Sequence, residues 1–428
     1  MNYQETTQYL FKSTPVFEHV GASAYKEGLY NTRALDAHFG HPHREYKTIH
    51  VGGTNGKGSC SHSLAAILQS AGYRVGLCTS PHLVDFRERI RVNGRCVSER
   101  YVTDFVEQEK AFFEPLHPSF FELTTAMAFK YFSEQQVDIA VVEVGLGGRL
   151  DCTNIITPQL SIITNISKDH TQFLGNTLRQ IASEKAGIIK VGVPVVIGEA
   201  TEETRPVFER KAREVGAPII FAEDHQLVLS SRSLPGGGRE YHTRMGDFMG
   251  ELAGDYQEKN MNTIITALKL LRKQGVTCPE DSFSRGINHV HELTGLTGRW
   301  QRIHERPLVI CDTGHNIGGW QYLTRQISAQ SCEQVRIVFG MVDDKDIDAV
   351  MDILPKDAVY YWTQAFSLRA IPVKDIKRRG DLRNLRGTCF DTVEEAYVKA
   401  LGDASENDFV FIGGSSYVVA DLLSMKVF

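Results

Sequence analysis

The residues most suited to chemistry lie in a glycine-rich stretch, residues 50–59, with the sequence His-Val-Gly-Gly-Thr-Asn-Gly-Lys-Gly-Ser. A short run typical of a β-strand precedes it, and an amphipathic helical pattern over residues 60–71 follows it. A glycine-rich turn between a strand and a helix lets backbone N–H groups face an anion at the positive end of the helix dipole. Lys57 would add a mobile charge for terminal phosphates, and Ser59 would add a hydroxyl. The stretch therefore predicts a phosphate-binding loop.

The loop departs from the strict P-loop pattern G-x-x-x-x-G-K-[ST]. Its first glycine lies one residue too close to the second, and Gly58 separates Lys57 from Ser59. A tight strand-to-helix turn with a surface lysine is therefore an alternative interpretation of this stretch. The choice between the two depends on residues elsewhere in the chain.

The composition is that of an ordinary globular protein of two or three domains, with 428 residues, 42% hydrophobic and 23% charged. The net charge of −5 argues against nucleic acid or an anionic membrane as the main partner. The eight cysteines are scattered without metal-ligand spacing, as in a reduced cytosolic protein. The first residues lack the pattern of a signal peptide, and no apolar run reaches the roughly 18 residues that a membrane span needs. We expect a cytoplasmic protein without nucleic-acid or membrane partners.

Polar side chains follow four different predicted strands, each at the carboxyl end of its strand. They are Lys57, Ser80, Glu143 and His170. Ligands of open α/β sheets collect beyond these strand ends, so the four side chains should lie near one another. A hydroxyl, a carboxylate and an imidazole beside a phosphate site suit Mg²⁺, which completes its coordination with water and phosphate oxygens. A purely structural or surface histidine is the alternative for His170.

Strands and helices alternate along most of the chain, which predicts two α/β domains with a cleft between them. Residues 1–47 have mainly helical patterns, and residues 89–97 contain an Asn-Gly hairpin turn. Alternating runs over residues 225–252 predict a small antiparallel β appendage.

The best linker candidate is the short glycine-containing segment 293–298. We therefore expect a P-loop-type domain with a mostly parallel sheet and the β appendage over residues 1–295. A smaller, Rossmann-like α/β domain should follow over residues 296–428.

Three further motifs carry a family resemblance. They are Thr-Ser-Pro-His-Leu at residues 79–83, Glu-Val-Gly-Leu-Gly-Gly-Arg-Leu-Asp at residues 143–151 and Asp-His at residues 169–170. Together with the glycine-rich loop, they resemble the folylpolyglutamate synthase and dihydrofolate synthase family of the Mur ligase superfamily. The resemblance implies ATP and Mg²⁺ as cofactors, with Ser80, Glu143 and His170 as metal ligands.

The resemblance also implies that Lys185, in the motif Ser-Glu-Lys-Ala-Gly, is carbamylated by CO₂. Carbamylation turns a cation into a carboxylate-like oxygen ligand that suits a second Mg²⁺, whereas the unmodified ammonium would repel that ion. An ordinary helix lysine in an ion pair is the alternative. Lys185 joins Lys57 and His170 in the expected set of catalytic residues.

Two stretches resemble the elements of this family that bind pteroate. They comprise Ser119, Phe121 and Glu122 in the first stretch and Leu150, Asp151 and Cys152 in the second. The ring of Phe121 could stack on a pterin, and Asp151 could accept hydrogen bonds from its amino and ring N–H groups. Plain core packing is the alternative for the phenylalanine.

The resemblance assigns the glycine-rich loop and four distant residues to ATP. They are Thr54, Asn55, Gly56, Lys57, Gly58, Ser59, Asn260, Arg299, Asp312 and His315. Asn260 ends a motif in which Tyr256 replaces the usual histidine, and residues 312–316 read Asp-Thr-Gly-His-Asn instead of Asp-Gly-Ala-His-Asn. Arg299 suits a phosphate because its planar guanidinium can bond two oxygens, although a surface ion pair is its alternative.

The resemblance implies an ATP-dependent ligase that joins L-glutamate to folate-type carboxylates through an acyl phosphate. The pteroate-like elements favour a bifunctional enzyme that accepts dihydropteroate and tetrahydrofolates, and the family resemblance favours a monomer. Polyglutamylation alone and a P-loop phosphotransferase or nucleotide-gated binding module remain alternatives. The motifs at residues 79–83 and 143–151 argue against a Mur enzyme that acts on a UDP-linked precursor. The intact Lys57, Glu143 and His170 give no reason to prefer a folate-binding protein without catalysis.

Overall fold

The computed structural model describes residues 1–13, 28–234 and 237–425. Of the helical region predicted for residues 1–47, residues 14–27 lie outside this description. None of the described helices is long and apolar enough to cross a membrane. The described chain contains two large sheets, each covered by helices.

The first sheet and the small β appendage belong to a part of the chain, here called the first unit, that ends at residue 294. Its elements are α1 (Tyr3–Ser13), α2 (Tyr30–His38), β1 (Lys47–Gly52), α3 (Lys57–Ser70), β2 (Val75–Cys78), β3 (Ile90–Val92), β4 (Arg95–Cys96), α4 (Glu99–Phe113), α5 (Phe120–Glu134), β5 (Ile139–Glu143), β6 (Leu160–Ile163), α6 (Thr171–Leu174), α7 (Leu178–Lys185), β7 (Val195–Ile197), α8 (Arg205–Glu214), β8 (Ile219–Phe221), β9 (Val228–Ser233), β10 (Arg239–Thr243), β11 (Gly246–Gly250), α9 (Gln257–Lys273), α10 (Glu280–Asn288) and α11 (Val290–Thr294).

The second unit follows and contains the other large sheet. Its elements are β12 (Gln301–His304), β13 (Leu308–Asp312), α12 (Ile317–Ser328), β14 (Val335–Phe339), α13 (Ile347–Asp352), β15 (Val359–Trp362), α14 (Val373–Asp381), β16 (Gly387–Cys389), α15 (Val393–Gly402), β17 (Phe409–Gly413) and α16 (Ser416–Ser424). The predicted division at residues 295 and 296 stays a prediction.

In the described first unit, the main sheet has the strand order β4-β3-β2-β5-β1-β6-β7-β8. The strands from β2 to β8 in this order run parallel, and β1 lies between β5 and β6. The hairpin of β3 and β4 is antiparallel, and Asn93 and Gly94 turn it with φ angles of 46° and 74°, as the Asn-Gly signal predicts. The carboxyl ends of β1, β2, β5 and β6 therefore meet at one edge, where the predicted polar residues follow.

The central strands are buried on both faces, which explains their continuous apolar sequences. Because side chains alternate along a strand, Val141 of β5 packs in the cluster that includes α3 and α9. Its neighbours Ala140 and Val142 pack in the opposite cluster, which includes α4 and α5. Helices thus hold the sheet from both sides and fix the positions of its strand ends.

Helix α3 begins at Lys57, three residues earlier than the apolar periodicity predicts. Gly56 caps this helix in the left-handed conformation, with φ 83°, and Gly58 lies in its first turn. The periodic pattern starts only at Cys60 because the first turn faces the phosphate loop instead of the core. The loop is consequently joined directly to a helix N-terminus, as a phosphate site requires.

The predicted β appendage is confirmed as the antiparallel sheet β11-β10-β9. Within the described second unit, the sheet order is β12-β13-β17-β14-β15-β16, and β12 alone pairs antiparallel. The sequence patterns missed β12, α14 and β16. The two strands lie at the sheet edges and contain no fully buried residue, and α14 buries only Val373, Ile376 and Gly380.

Candidate active site

The glycine-rich loop is shaped by two close approaches that exclude side chains. Gly53 has φ 131°, and a Cβ there would lie 1.9 Å from Oγ1 of Thr164. Gly56 has φ 83°, and a Cβ there would lie 2.3 Å from Oδ1 of Asn260. Lys57, the first residue of α3, folds back so that its Nζ donates to the loop carbonyl of Thr54 at 3.1 Å. The loop therefore needs glycine at these positions to place its amides and its lysine together.

Side chains of helix α9 contact the residues of the glycine-rich loop and its helix. Nε2 of Gln257 donates to Oγ of Ser59 at 3.1 Å, and Nδ2 of Asn260 donates to Oε1 of Gln257 at 2.8 Å. All three side chains are buried. The structure thus joins the predicted Ser59 and Asn260 through Gln257, whose role the sequence did not indicate.

Two of the three predicted metal ligands are in direct contact. The backbone N–H of Ser80 donates to Oε2 of Glu143 at 3.2 Å, where β5 ends. Burial raises the pKa of Glu143, while the nearby charge of Lys57 opposes that rise. A buried carboxylate of this kind gains a favourable partner when a cation binds.

His170, the third predicted ligand, follows β6 and faces the second unit. It has a left-handed backbone with φ 49°, and its Nδ1 is 4.0 Å from Oδ2 of Asp344 in the second unit. Burial lowers its pKa, so the imidazole is neutral and able to coordinate a metal at physiological pH. Within the described ranges, no group of three or more His, Cys, Asp or Glu residues has a metal-binding arrangement. A metal held here would therefore need hydroxyl, water or phosphate oxygens as well.

Asp169, next to His170, is the main polar contact between the units. Its Oδ2 accepts hydrogen bonds from Nε2 of His315 at 3.2 Å and from Nδ2 of Asn316 at 3.0 Å. Its Oδ1 forms an ion pair with Lys345, and both side chains are only 7% exposed. Burial alone would raise the pKa of Asp169, but the hydrogen bond from His315 and the Lys345 charge hold it well below its usual range. Asp169 is therefore ionised in the folded protein.

A second contact joins the phosphate loop itself to the second unit. Nδ2 of Asn55 donates to Oδ1 of Asn316 at 3.1 Å, and Nδ2 of Asn316 donates to Oδ1 of Asn55 at 2.9 Å. The backbone N–H of Asn55 also donates to Oδ1 of Asn165 at 3.0 Å. The predicted loop residue Asn55 thus contacts Asn165 in the first unit and Asn316 in the second.

Lys185 is buried beside the loop at the end of α7. Its Nζ donates to the carbonyl of Gly53 at 2.8 Å. Burial, with a smaller effect of the Lys57 charge, lowers the pKa of Lys185 from 10.5 to about 7. A substantial fraction of this amine is therefore neutral near neutral pH, which is the form that reacts with an electrophile. Among the described contacts of Lys185 there is a hydrogen bond to a backbone carbonyl and no ion pair of the kind that the alternative interpretation expects.

The first predicted pteroate stretch has a structural role that its sequence also encodes. The hydroxyl of Ser119 accepts from the backbone N–H of Glu122 at 3.2 Å, and Oε2 of Glu122 accepts from the N–H of Ser119 at 2.6 Å. This capping box starts α5. Phe120 packs in the core against Phe11, whereas Phe121 is only half-buried beside Gly145, where a Cβ would lie 2.4 Å from its ring. Core packing thus describes Phe120 and not Phe121.

In the second predicted pteroate stretch, Asp151 holds its own loop. Its Oδ2 accepts from the backbone N–H of Leu146 at 2.7 Å, and its Oδ1 accepts from that of Thr153 at 3.0 Å. Burial raises the pKa of Asp151, and these hydrogen bonds oppose the rise. The hydroxyl of Thr153 also donates to Oδ1, so both lone pairs of that oxygen have protein donors.

The predicted second-unit residues Arg299 and Asp312 have different positions relative to the loop. Nη2 of Arg299 lies 3.3 Å from the position of a Cβ at Gly58, and that position is 3.9 Å from Oε2 of Glu143. Asp312 is 3% exposed and accepts from the backbone N–H groups of Trp300 at 2.7 Å and Gly314 at 2.8 Å. Arg299 is therefore placed beside the phosphate loop, whereas Asp312 holds the segments around it.

A cleft of about 330 Å³ opens between the two units at this edge. The predicted residues in its lining are Thr54, Lys57, Ser80, Ser119, Phe121, Glu122, Leu150, Asp151, Cys152, His170, Lys185 and His315. The second unit adds Lys345, Arg369, Ser415, Ser416 and Tyr417 to the lining. The predicted Asn55, Gly56, Gly58, Ser59, Glu143, Asn260, Arg299 and Asp312 lie outside this lining. One cleft thus combines a phosphate loop, an apolar and aromatic wall, and cations from the second unit.

Known proteins resemble this chain in sequence and in fold. A family model for the Mur ligase middle domain matches residues 51–225, and one for the Mur ligase, glutamate ligase domain, matches residues 298–416. The dihydrofolate synthase/folylpolyglutamate synthase of Bacillus subtilis (strain 168) is 33% identical, over 93% of this chain and 94% of its own. The chain belongs to the dihydrofolate synthase/folylpolyglutamate synthase family.

Solved structures of this family have the same fold. E. coli FolC in complex with DHPP and ADP is 29% identical, with a TM-score of 0.84 over 99% of this chain and 97% of FolC. A bifunctional folylpolyglutamate synthase/dihydrofolate synthase with Mn, AMPPNP and L-glutamate bound is 28% identical, with a TM-score of 0.82 over 99% of this chain and 98% of its own. The predicted family and the predicted fold class, a mostly parallel sheet domain followed by a second α/β domain, are confirmed.

Residues that the family motifs did not assign connect the site across the units. Asp169 and Asn316 lie within the motifs at residues 169–170 and 312–316, but the resemblance implies no role for them, and Lys345 lies outside the motifs. Their contacts join residues separated by about 150 or more positions, so no local pattern could indicate them. The Asp-His motif at residues 169–170 is the local signal that marks Asp169 as a residue near the site.

Proposed function

We propose that this chain joins L-glutamate to the carboxylates of folate-type substrates with the energy of ATP. It is an ATP-dependent ligase of the dihydrofolate synthase/folylpolyglutamate synthase family. The observation that supports this function best is the single cleft that adjoins the phosphate loop, the Phe121 and Asp151 wall, and the second-unit cations. The names and bound molecules of its relatives agree, since they include DHPP, ADP, AMPPNP and L-glutamate.

The reaction proceeds in two transfers. A carboxylate oxygen of the folate-type substrate attacks the γ-phosphorus of ATP, ADP leaves, and an acyl phosphate forms. The amine of L-glutamate then attacks the acyl carbon, inorganic phosphate leaves, and the nitrogen loses a proton to give the amide. Lys57 and the loop amides neutralise the transferring phosphoryl group, which depends on positioning and charge more than on covalent chemistry. Contact between the units keeps water from the acyl phosphate.

A divalent cation suits the loop edge, because a hydroxyl, a carboxylate and a neutral imidazole are available there. Ser80, Glu143 and His170 would hold it. When bound, the cation neutralises phosphate charge. The relative that carries Mn supports a divalent metal, and Mg²⁺ is the ion we expect here.

Carbamylation of Lys185 would provide an oxygen ligand for a second Mg²⁺. The proposal is supported by the pKa of about 7, since CO₂ adds to the lone pair of the neutral amine and the nitrogen then loses a proton to give the carbamate anion. The new carboxylate-like group would lie beside the carbonyl of Gly53 at the phosphate loop. The catalytic set is then Lys57, Lys185 and His170.

The cleft wall that contains Phe121 and Asp151 supports a bifunctional enzyme that accepts dihydropteroate as well as tetrahydrofolates. Phe121 offers a half-buried ring to a flat pterin, and Asp151 offers carboxylate oxygens to its N–H groups. Leu150 and Cys152 would border the same ring system. Ser119 and Glu122 would contact the substrate from their capping box.

The nucleotide would lie across the loop between the units. Thr54, Asn55, Gly56, Gly58 and Ser59 would surround its phosphates with Lys57. From outside the loop, Asn260, Arg299, Asp312 and His315 complete the proposed ATP set. Within this set, Arg299 has the geometry for a phosphate, and Asp312 acts through the backbone that it holds. We further propose that the domains divide at residues 295 and 296 and that the protein is a cytoplasmic monomer.

The first experiment is phosphate release from MgATP with L-glutamate, with dihydropteroate or tetrahydrofolate as acceptor and mass spectrometry of the products. Products one glutamate heavier from both acceptors support the bifunctional ligase. Extension of tetrahydrofolate alone restricts the function to polyglutamylation. Phosphate release that is indifferent to glutamate and to both acceptors contradicts the proposal and favours a phosphotransferase.

A further inference from the structure

Tyr256 lies at the start of α9 and forms a hydrogen bond to the second unit. It immediately precedes α9, the helix whose Gln257 and Asn260 contact the loop. Its ring packs against the core of the second unit and meets the ring of Tyr322 edge-on at 6.3 Å. Its hydroxyl donates a hydrogen bond of 2.6 Å to Oδ2 of Asp312. Tyr256 therefore links the start of α9, the helix that contacts the loop, to the second-unit segment that contains Asp312.

Asp312 transmits this contact to the residue that faces the loop. Its Oδ2 also accepts from the backbone N–H of Trp300 at 2.7 Å, and its Oδ1 accepts from that of Gly314 at 2.8 Å. Arg299 directly precedes Trp300, and its guanidinium lies beside Gly58 of the loop. The carboxylate of Asp312 thus fixes the backbone that carries Arg299, and the Tyr256 hydroxyl is its only side-chain donor among the described residues.

A neighbouring pair of contacts holds the same segment. The backbone N–H of Asp255 donates to Oε1 of Gln326 in α12 at 2.9 Å, and Nε2 of Gln326 donates to the carbonyl of Ala253 at 3.3 Å. The chain before α9 is therefore docked on the second unit by its backbone. This leaves the Tyr256 hydroxyl as a separable element, whose removal alters the Asp312 contact without releasing the segment.

We propose that Tyr256 is a positioning residue for the nucleotide, acting through Asp312 to hold Arg299 over the phosphate loop. This inference rests on the proposed function, which identifies the nucleotide as ATP. Without the hydroxyl, the buried Asp312 carboxylate loses one of its three donors, and water has little access to replace it. The Arg299 segment is then held less firmly, and nucleotide binding weakens.

The test compares Tyr256→Phe with Tyr360→Phe in the full-length protein. Tyr360 is a matched control because its buried hydroxyl also donates a 2.6 Å hydrogen bond, to the carbonyl of Pro355 in the same second-unit core. Steady-state kinetics give kcat and the KM values for ATP, L-glutamate and the folate acceptor. The rise in Tm caused by MgADP reports nucleotide binding without any turnover.

We expect Tyr256→Phe to raise the KM for ATP about tenfold, the size of one lost hydrogen bond to a charged group. The KM for L-glutamate should stay unchanged, and the MgADP shift in Tm should shrink. Tyr360→Phe should keep the parent values for both nucleotide measurements. In an Asp312→Asn background, Tyr256→Phe should have a smaller effect than in the parent, because both variants disturb one contact.

The inference is overturned if Tyr256→Phe keeps the parent KM for ATP and the parent MgADP shift. It is also overturned if Tyr360→Phe weakens nucleotide binding equally, since that result indicates general loosening of the second unit. A parent protein that releases phosphate without glutamate contradicts the proposed function instead. The MgADP shifts of the two variants still decide the role of Tyr256 in that case.

Discussion

Lys185→Met should make the protein more stable while it abolishes ligation. Lys185 is buried, and that burial lowers its pKa from 10.5 to about 7. In the unfolded chain the amine keeps its ordinary pKa, so between these values the unfolded chain binds more protons than the folded one. The stability of the parent therefore rises as the pH increases from about 7 towards 10.5, and it is lowest, with respect to this residue, below pH 7.

The magnitude follows from the same two values. The interval from 10.5 to about 7 corresponds to roughly 5 kcal/mol, at about 1.4 kcal/mol per pH unit. Methionine has a similar length and no charge to bury, so Lys185→Met removes this cost. The loss of the 2.8 Å hydrogen bond from Nζ to the carbonyl of Gly53 offsets about 1–2 kcal/mol of the gain. A net stabilisation of about 3 kcal/mol is expected below pH 7, with a smaller value at higher pH.

The assay is urea unfolding of parent and Lys185→Met in carbonate-free buffer, which keeps the amine unmodified, at about pH 6 and about pH 9. Lys190→Met is the matched control, because Lys190 also donates to a carbonyl, that of Asn154 at 2.7 Å, and burial lowers its pKa to about 8. Its gain should have the same sign but be smaller, since Lys190 is only partly buried. A parent that is more stable than Lys185→Met at about pH 6, or a difference independent of pH, would refute this reasoning.

Three further outcomes test the site. Lys57→Ala should abolish phosphate release without lowering Tm, because Nζ bonds only a carbonyl of its own loop in the described structure; ligation at the parent rate would contradict the phosphate-loop assignment. Asp169→Asn should lower the free energy of unfolding, measured with urea at neutral pH, by about 3 kcal/mol, because the parent Asp169 is ionised there and pairs with Lys345. Adding Lys345→Met should recover part of this loss. Losses that simply add in the double variant would contradict the buried ion pair. EDTA should stop phosphate release and Mg²⁺ should restore it, measured by product formation; turnover without a divalent cation would remove the metal from the proposal.

The elements that the sequence predicts correctly are those with a local signal. The glycine-rich turn between β1 and α3 is one continuous stretch, and Glu143 ends one continuous apolar strand. Parallel strands in one sheet then bring Ser80 against Glu143 without any further information. The two-domain fold followed in the same way from the alternation of strand and helix patterns.

The remaining features depend on contacts that no local pattern encodes. Asp169 meets Lys345 across the cleft, and Asn55 meets Asn316, through the relative placement of two separate sheets. Ser119 and Glu122 form the capping box that their Ser-x-x-Glu spacing encodes. Their contact with a substrate, which only the family resemblance implies, stays a prediction.

The buried charges of the cleft have a common physical consequence. Burial raises the pKa of Glu143 and lowers that of Lys185, so the charged form of each residue is less favoured than it would be in water. Asp169 differs, because second-unit donors surround it and keep it ionised. In the first unit alone, burial therefore disfavours the charged forms of these residues. Contact with the second unit, or with phosphates and a cation, offsets this cost. The position of the site where the units meet matters most for Asp169, whose hydrogen-bond donor His315 and counter-charge Lys345 both belong to the second unit.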